Sequence, residues 1–196
     1  MITGFGSVWN ALDLQPWARM AVFGTGAVGM AGIVAATLRS PEVLIAVDIV
    51  PARLELALEL GATHALDGNT EDIGDRIGEI TGGAGLTAAF DTTGVPAAAR
   101  SAIDALGACG HLVVCAAPPP GTEIPVDFQG ILPGKMVSGV TMGDADPQAL
   151  IPRLVELVMD GRLPLNRLTK HYELDRLDQA AADMHQGVVV KPVIVH

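Results

Sequence analysis

Three glycines at fixed spacing form the stretch of this sequence that is best suited to chemistry. Residues 20–23 are apolar and run directly into Gly24, Gly26 and Gly29, after which an apolar helix is predicted from Met30 to Leu38. In a Gly-x-Gly-x-x-Gly pattern, the first glycine permits a tight turn, the second lets the backbone approach a diphosphate, and the third lets the helix pack on the sheet. The unpaired amides and the dipole of such a helix N-terminus favour bound phosphate.

An acidic residue follows the glycines at the spacing in the sequence that is typical of a ribose contact. A second apolar strand is predicted from Val43 to Val47, and Asp48 ends it, about 20 residues beyond the glycines, where an acid accepts hydrogen bonds from the adenosine ribose. Its charge repels a 2′-phosphate, so NAD is favoured over NADP. Arg53, one helical turn further on, has the reach to contact a ribose or a phosphate. A glycine-rich turn in a domain without a nucleotide is the alternative.

Two later strands are predicted to end beside the same crevice, because ligands bind beyond the carboxyl ends of the strands in open α/β sheets. The strand from Leu86 to Phe90 leads into residues 91–94, where Thr92 and Thr93 are candidates for cofactor contact. A turn before a helix that begins at Pro96 is the alternative. The strand from His111 to Cys115 leads into small residues and three prolines, which leave room for a flat ring.

Turn and capping signals divide the rest of the chain into further strands and helices. Helices are predicted over Pro51 to Leu60, Glu71 to Ile80 with Thr70 as its cap, Pro96 to Leu106, from Asp146-Pro147 or Pro152 to Met159, and from an Asp175 cap to Gln186; strands are predicted over Thr63 to Leu66, Ile124 to Phe128, Met136 to Met142, Tyr172 to Leu174 and Val188 to Val195. This alternation predicts an α/β fold, a doubly wound parallel sheet (Rossmann fold) with helices on both faces.

The composition limits the possible partners. Hydrophobic residues make up 49% and aromatic residues 4% of the chain, which suits parallel strands buried on both faces. The formal net charge is −10, so nucleic acid is not an expected partner. No run approaches the ~18 apolar residues of a membrane span, and no signal peptide is recognised. We therefore expect a cytoplasmic protein without a membrane partner.

Residues that could activate a substrate are scattered. No two of the five histidines share a helix face, and the two cysteines form no disulfide framework. Cys109, His111 and Cys115 offer only three ligands, and a strand directs alternate residues to opposite faces. Both thiols are interpreted as small buried hydrophobes. Neither a metal site nor a catalytic residue is predicted.

The first 18 residues have a character of their own. They contain an apolar helical segment, Thr3 to Leu12, that breaks before Pro16. This helix either packs on the predicted sheet or covers another domain. The predicted organisation is a connecting helix over residues 1–18 and a dinucleotide-binding domain over residues 19–196.

Together these motifs resemble the C-terminal, cofactor-binding part of the zinc-type medium-chain alcohol dehydrogenases, and most of all their aryl-alcohol (benzyl-alcohol) branch. The resemblance covers essentially the whole chain. It rests on Thr3-Gly4-Phe5-Gly6-Ser7, Val22-Phe23-Gly24-Thr25-Gly26-Ala27-Val28-Gly29, Val47-Asp48-Ile49, Leu60-Gly61-Ala62-Thr63-His64, Asp91-Thr92-Thr93-Gly94-Val95-Pro96, Ala117-Pro118-Pro119-Pro120-Gly121 and Val190-Lys191-Pro192-Val193.

The resemblance implies hydride transfer between NAD and a primary, aromatic alcohol, and it implies a role for individual residues. The implied cofactor contacts are Gly24, Gly26, Ala27, Val28, Gly29 and Lys191 at the pyrophosphate, Asp48, Ile49 and Arg53 at the adenosine ribose, Thr92 and Thr93 towards the adenine, and Thr3, Cys115, Ala117, Val140 and Met142 around the nicotinamide. The family dimer joins sheets edge to edge, which implies a homodimer through the region from Ile124 to Met142. Apolar edge strands are independently prone to such pairing.

One departure from the family pattern is large. In that family, most ligands of the catalytic zinc belong to an N-terminal domain, and the last ligand is a cysteine just upstream of the Thr3 motif. This sequence instead begins at Met1-Ile2. We therefore expect this chain to bind NAD and, by itself, not to oxidise alcohols, since zinc, proton relay and substrate pocket belong to the full-length enzyme. A non-catalytic nucleotide-binding module and a zinc-free reductase of quinones or enoyl groups are the alternatives.

Overall fold

A computed structural model describes residues 1–195 of the chain. These residues form two compact units, residues 1–145 and the residues from 146 onwards. No helix in the described part is long and apolar enough to cross a bilayer. His196, one of the five histidines considered as metal ligands, lies outside the described residues.

The first unit is built on a six-stranded, fully parallel sheet. Its strands are β1 (Arg19–Phe23), β2 (Val43–Asp48), β3 (His64–Asp67), β4 (Leu86–Asp91), β5 (Leu106–Val114) and β6 (Met136–Gly139). They lie in the order β3-β2-β1-β4-β5-β6, so the order reverses between β1 and β4. The predicted doubly wound α/β fold is confirmed.

Helices connect these strands and cover the sheet. They are α1 (Ile2–Gly6), which continues as a π-helical turn over Ser7–Ala11, α2 (Ala27–Thr37), α3 (Pro51–Glu59), α4 (Ile73–Ile80), α5 (Pro96–Ala105) and the short α6 (Phe128–Ile131). Every residue of β1 and β2 after the first is buried, which explains why these strands are almost continuously apolar in the sequence.

The N-terminal helix packs on α2 within the same unit. A Cβ atom at Gly4 would collide with the carbonyl oxygen of Val28, so glycine permits a close approach of the two helices. Phe5 and Val8 are fully buried, and the Trp9 indole N–H donates to the carbonyl oxygen of Ala35 at 2.9 Å. Of the two roles considered for this segment, the structure therefore shows packing within the first unit, because its apolar side chains are buried against α2.

Several local predictions in the first unit are wrong. The segment from Ile124 to Phe128 contains no strand; instead α6 begins at Phe128, where the Asp127 carboxylate accepts the Gln129 N–H at 3.2 Å and so caps the helix. Helix α4 is capped by Asp72 and not by Thr70. Cys109 is exposed at φ 57°, so it is not a buried small hydrophobe. At Phe128 the local capping preference outweighed the apolar pattern that predicted a strand.

The second unit consists of α7 (Pro147–Met159), α8 (Leu165–Leu168), β7 (Thr169–Glu173), α9 (Leu177–His185) and β8 (Lys191–Val195). β7 and β8 pair in parallel. Helix α7 begins at Pro147 with an Asp146 cap and continues through Pro152. The predicted Asp175 cap of α9 is wrong, because Asp175 lies in a 3₁₀ turn before that helix.

Candidate functional site

The glycine turn lies between β1 and α2. Gly24 has a φ of 82°, which glycine adopts without strain, and a Cβ atom at Gly29 would collide with the carbonyl oxygen of Gly24. A Cβ atom at Gly26 would meet no non-neighbouring atom of the described residues within 4 Å, so Gly26 faces open space. Gly26 is also the N-cap of α2, and no side chain of the described residues caps that end. The turn therefore presents an open helix N-terminus.

The Asp48 carboxylate, at the end of β2, is aimed at this turn. Its Oδ2 atom accepts the backbone N–H of Thr25 at 2.6 Å and the Thr25 hydroxyl at 2.8 Å. Its Oδ1 atom accepts the N–H groups of Ile49 and Val50 at 2.8 and 3.0 Å. Four donors thus hold the carboxylate in one orientation.

Both features line one cavity of about 520 Å³, a volume that is usual for a small-molecule site. Its lining includes seven residues that were predicted as cofactor contacts or turn residues: Gly24, Gly26, Asp48, Ile49, Arg53, Thr92 and Thr93. It also includes residues that the sequence reasoning missed, namely Gly68, Ile73, Val95, Ala97, Ala98 and Ser101. Except for Ser101, which lies in the middle of α5, the missed residues follow β3 or lie at the start of α4 and α5, so their position near strand ends was the available signal.

The two threonines after β4 have different partners. Thr92 donates its hydroxyl to the carbonyl oxygen of Gly24 at 2.9 Å and thereby ties the end of β4 to the glycine turn. The Thr93 hydroxyl donates to Asp91 Oδ1 at 2.7 Å and accepts the Val95 N–H at 3.0 Å. Thr93 therefore shapes the start of α5, while both threonines still border the cavity.

The residues predicted around a nicotinamide follow β5 and β6. The Cys115 N–H donates to the carbonyl oxygen of Asp91 at 3.1 Å, and the Val140 N–H donates to that of Val114 at 3.0 Å, so both lie at the carboxyl ends of their strands. Burial, with a smaller effect of the Asp91 charge, raises the pKa of the Cys115 thiol to about 11. This thiol is therefore neutral at physiological pH.

Two further predicted residues meet at a turn in the first unit. A Cβ atom at Gly143 would lie 2.8 Å from the carbonyl oxygen of Thr3, so the backbone of Thr3 lies against Gly143, the residue that follows Met142. Ala117 is exposed in the proline-rich loop after β5. Lys191 is the first residue of β8 in the second unit, and its contact with a pyrophosphate remains a prediction.

Metal-ligating side chains are not clustered in the part of the chain that the structure describes, where no three His, Cys, Asp or Glu residues could hold one ion. His111 Nε2 lies 2.7 Å from the Ser138 hydroxyl on β6, and burial lowers the pKa of this imidazole. Cys109 Sγ lies 3.8 Å from the carbonyl oxygen of Pro133. The donor set of residues 1–195 does not fit a zinc ion.

Comparisons with known proteins agree with this geometry. Residues 27–158 match the family described as zinc-binding dehydrogenase. The chain is 35% identical over 195 residues to geraniol dehydrogenase of Castellaniella defragrans, with 98% of this chain and 52% of that protein covered. It is 32% identical to S-(hydroxymethyl)glutathione dehydrogenase of Synechocystis, with 98% and 53% covered. The chain thus spans about half the length of these curated relatives.

Solved structures show the same relationship. The benzyl alcohol dehydrogenase of Acinetobacter calcoaceticus superposes with a TM-score of 0.95 at 40% identity, and the match covers 98% of this chain and 53% of that one. An alcohol dehydrogenase zinc-binding domain protein from Burkholderia ambifaria superposes with a TM-score of 0.94 at 46% identity, with 98% and 52% covered.

Proposed function

Since the chain belongs to the zinc-binding dehydrogenase family, we propose that it binds NAD(H) as the cofactor-binding half of an alcohol dehydrogenase. One observation supports this most strongly. The Asp48 carboxylate is fixed at Thr25 in the glycine turn, and Asp48, Gly24 and Gly26 line the same cavity. A diphosphate at the open end of α2 and a ribose at this carboxylate would then share one crevice.

The remaining predicted contacts divide between the two halves of the cofactor. Ile49, Arg53, Thr92 and Thr93 border the cavity beside Asp48 and would hold the adenosine half. Cys115, Ala117, Val140, Met142 and Thr3 would surround the nicotinamide, and Lys191 would reach the pyrophosphate. The bound cofactor supplies a hydride acceptor; the residues of this chain supply its seat and orientation.

We propose that NAD(H) is preferred over NADP(H). Four hydrogen bonds fix the Asp48 carboxylate at the glycine turn, and its negative charge would repel a 2′-phosphate. The chain should therefore bind NADH more tightly than NADPH. Fluorescence titration with both dinucleotides tests this, and absence of saturable binding of NADH would overturn the proposed function.

The proposed substrate is a primary aromatic alcohol. The support is the similarity to benzyl alcohol dehydrogenase over about half of that chain. Because this chain covers 52% of the geraniol dehydrogenase relative, alcohol activation is assigned to residues beyond it, and the chain alone should bind NAD(H) without turnover. Mixing the chain with NAD and benzyl alcohol should give no NADH; steady NADH production would refute this part. A non-catalytic nucleotide-binding module would also give no NADH. Cysteine and histidine ligands for zinc encoded upstream of Met1 would favour the alcohol dehydrogenase, and their absence there would favour the module.

The proposed assembly is a homodimer through β6. This strand occupies one edge of the sheet, and Met136 and Val137 on it are about half exposed. An apolar, unpaired edge favours pairing with a second copy. Sedimentation of Val137→Lys should show a monomer while Ile151→Lys, a change of another exposed apolar residue, leaves the dimer intact. A cytoplasmic location remains a prediction.

A further inference from the structure

We propose that Asn10 is a positioning residue for the nicotinamide half of the site. Its side chain holds a turn, Met142 to Asp144, in the conformation that borders this half. The inference rests on the proposed NAD(H) function and deepens it. Asn10 belongs neither to the glycine pattern nor to the residues that line the cavity.

The turn from Met142 to Asp144 has an unfavourable backbone conformation. Its three residues have φ angles of 53°, 73° and 47° in sequence. Only the central one, Gly143, adopts this left-handed region without steric cost. Two non-glycine residues in this region persist only where the surroundings hold them, and such positions are common at ligand sites.

Asn10 supplies two of the interactions that hold the turn. Its Nδ2 atom donates to the carbonyl oxygen of Gly143 at 3.3 Å and to that of Asp144 at 3.2 Å. One amide group has two N–H donors, so a single side chain satisfies two successive carbonyl groups of the left-handed turn. These bonds join residues that are more than 130 positions apart in the sequence.

The backbone of the first helix also contacts the turn. A Cβ atom at Gly6 would collide with the carbonyl oxygen of Gly143, and one at Gly143 would lie 2.7 Å from the Cα atom of Gly6. The two backbones are therefore in direct contact. Asn10 lies one helical turn beyond Gly6, and its side chain holds residues 142–144 against the backbone of this helical segment.

The place of the turn in the sheet relates it to the cofactor. The turn follows β6, on the opposite side of the β1–β4 switch point from Asp48. A dinucleotide spans this switch point, with one nucleotide on each side. Since Asp48 would take the adenosine ribose, the side that carries Met142 and Thr3 would take the nicotinamide, and a loosened turn would weaken that half alone.

The test compares NADH with ADP-ribose, which has the diphosphate and the adenosine but lacks the nicotinamide. In Asn10→Ala, NADH affinity should fall about three- to tenfold, the usual effect of lost hydrogen bonds, while ADP-ribose affinity stays within about twofold. Asn10→Asp, which has the same shape but no N–H donors, should behave in the same way. Retained binding of ADP-ribose also shows that each variant is folded.

A matched control is Asn69→Ala. Asn69 Nδ2 donates to the carbonyl oxygen of Ile49 at 3.3 Å on the adenosine side, so this change should leave the ratio of the NADH and ADP-ribose affinities unaltered.

Hydrogen exchange gives a readout without nucleotide. The Asp144 amide, which donates to the carbonyl oxygen of Thr141 at 3.1 Å, should exchange faster in Asn10→Ala. Equal losses of NADH and ADP-ribose affinity, or unchanged affinity for both, would overturn the inference alone. If the unchanged chain binds neither ligand, the proposed function falls and the inference falls with it.

Discussion

The Asp48 carboxylate accepts both the backbone N–H and the hydroxyl of Thr25, at 2.6 and 2.8 Å. This pair of hydrogen bonds ties the end of β2 to the glycine turn after β1. Thr25 is fully buried and Asp48 is 8% exposed, so solvent screens the interaction little. The acid that would select the ribose is therefore also a structural part of the turn that would bind the diphosphate.

Replacing Asp48 by alanine should weaken NADH binding by about 1–3 kcal/mol, because the ribose hydroxyls lose a charged acceptor. Asp67→Ala is the matched control: Asp67 ends the neighbouring strand, in register with Asp48, but it is not among the residues that line the cavity. NADH fluorescence titration should show near-normal affinity for the control. Equal loss in both variants would contradict a specific role for Asp48.

Removing the Thr25 hydroxyl should destabilise the fold. Thr25→Val keeps the shape but deletes a hydrogen bond to a charged carboxylate, which is worth about 1.5–3 kcal/mol. Thr25→Ser keeps the donor and should lose much less. Urea unfolding of both variants measures the difference in free energy, and equal destabilisation would assign the effect to the methyl group instead.

Alanine substitutions at two glycines of the turn should separate an effect on the stability of the fold from an effect on NADH binding. Gly29→Ala should destabilise the chain by about 1–3 kcal/mol, because its Cβ atom would collide with the Gly24 carbonyl oxygen. Gly26→Ala meets no such obstacle and has a φ of −68°, so its stability should stay close to that of the unchanged chain while NADH binding weakens. Thermal unfolding and NADH titration of both variants test this; normal NADH binding by Gly26→Ala would argue against a diphosphate at this position.

The two thiols should differ in reactivity. Exposed Cys109 should react with a thiol reagent at pH 8, whereas Cys115, whose pKa is raised to about 11, should react slowly because little thiolate is present. The single variants Cys109→Ser and Cys115→Ser assign the two rates. Similar rates for both thiols would contradict the burial of Cys115.

The raised pKa of Cys115 also predicts a dependence of stability on pH. The thiol has an ordinary pKa of 9.0 and a folded value of about 11, so below about pH 9 it is neutral in both states. As pH rises from about 9 to about 11, the unfolded chain releases this proton first, and the free energy of unfolding falls. In Cys115→Ser, urea unfolding should show a smaller decrease over this range.

Much of the fold and part of the candidate site could be predicted because their signals are local. The turn at Gly24, the close packing at Gly29 and the position of Asp48 depend on residues that are near each other in the chain, and parallel strands bring their carboxyl ends to one edge. The strand predicted from Ile124 to Phe128 was wrong because the Asp127 cap favours a helix at that point.

The sequence by itself therefore determined the alternation of strands and helices, the glycine turn and the acid at the end of the second strand, since spacing and periodicity encode them. Only the tertiary structure decided how Asn10 holds Gly143, how Thr25 binds Asp48 and which side chains complete the cavity. Contacts between distant residues depend on how whole elements pack, and no local pattern specifies the geometry of a hydrogen bond across them.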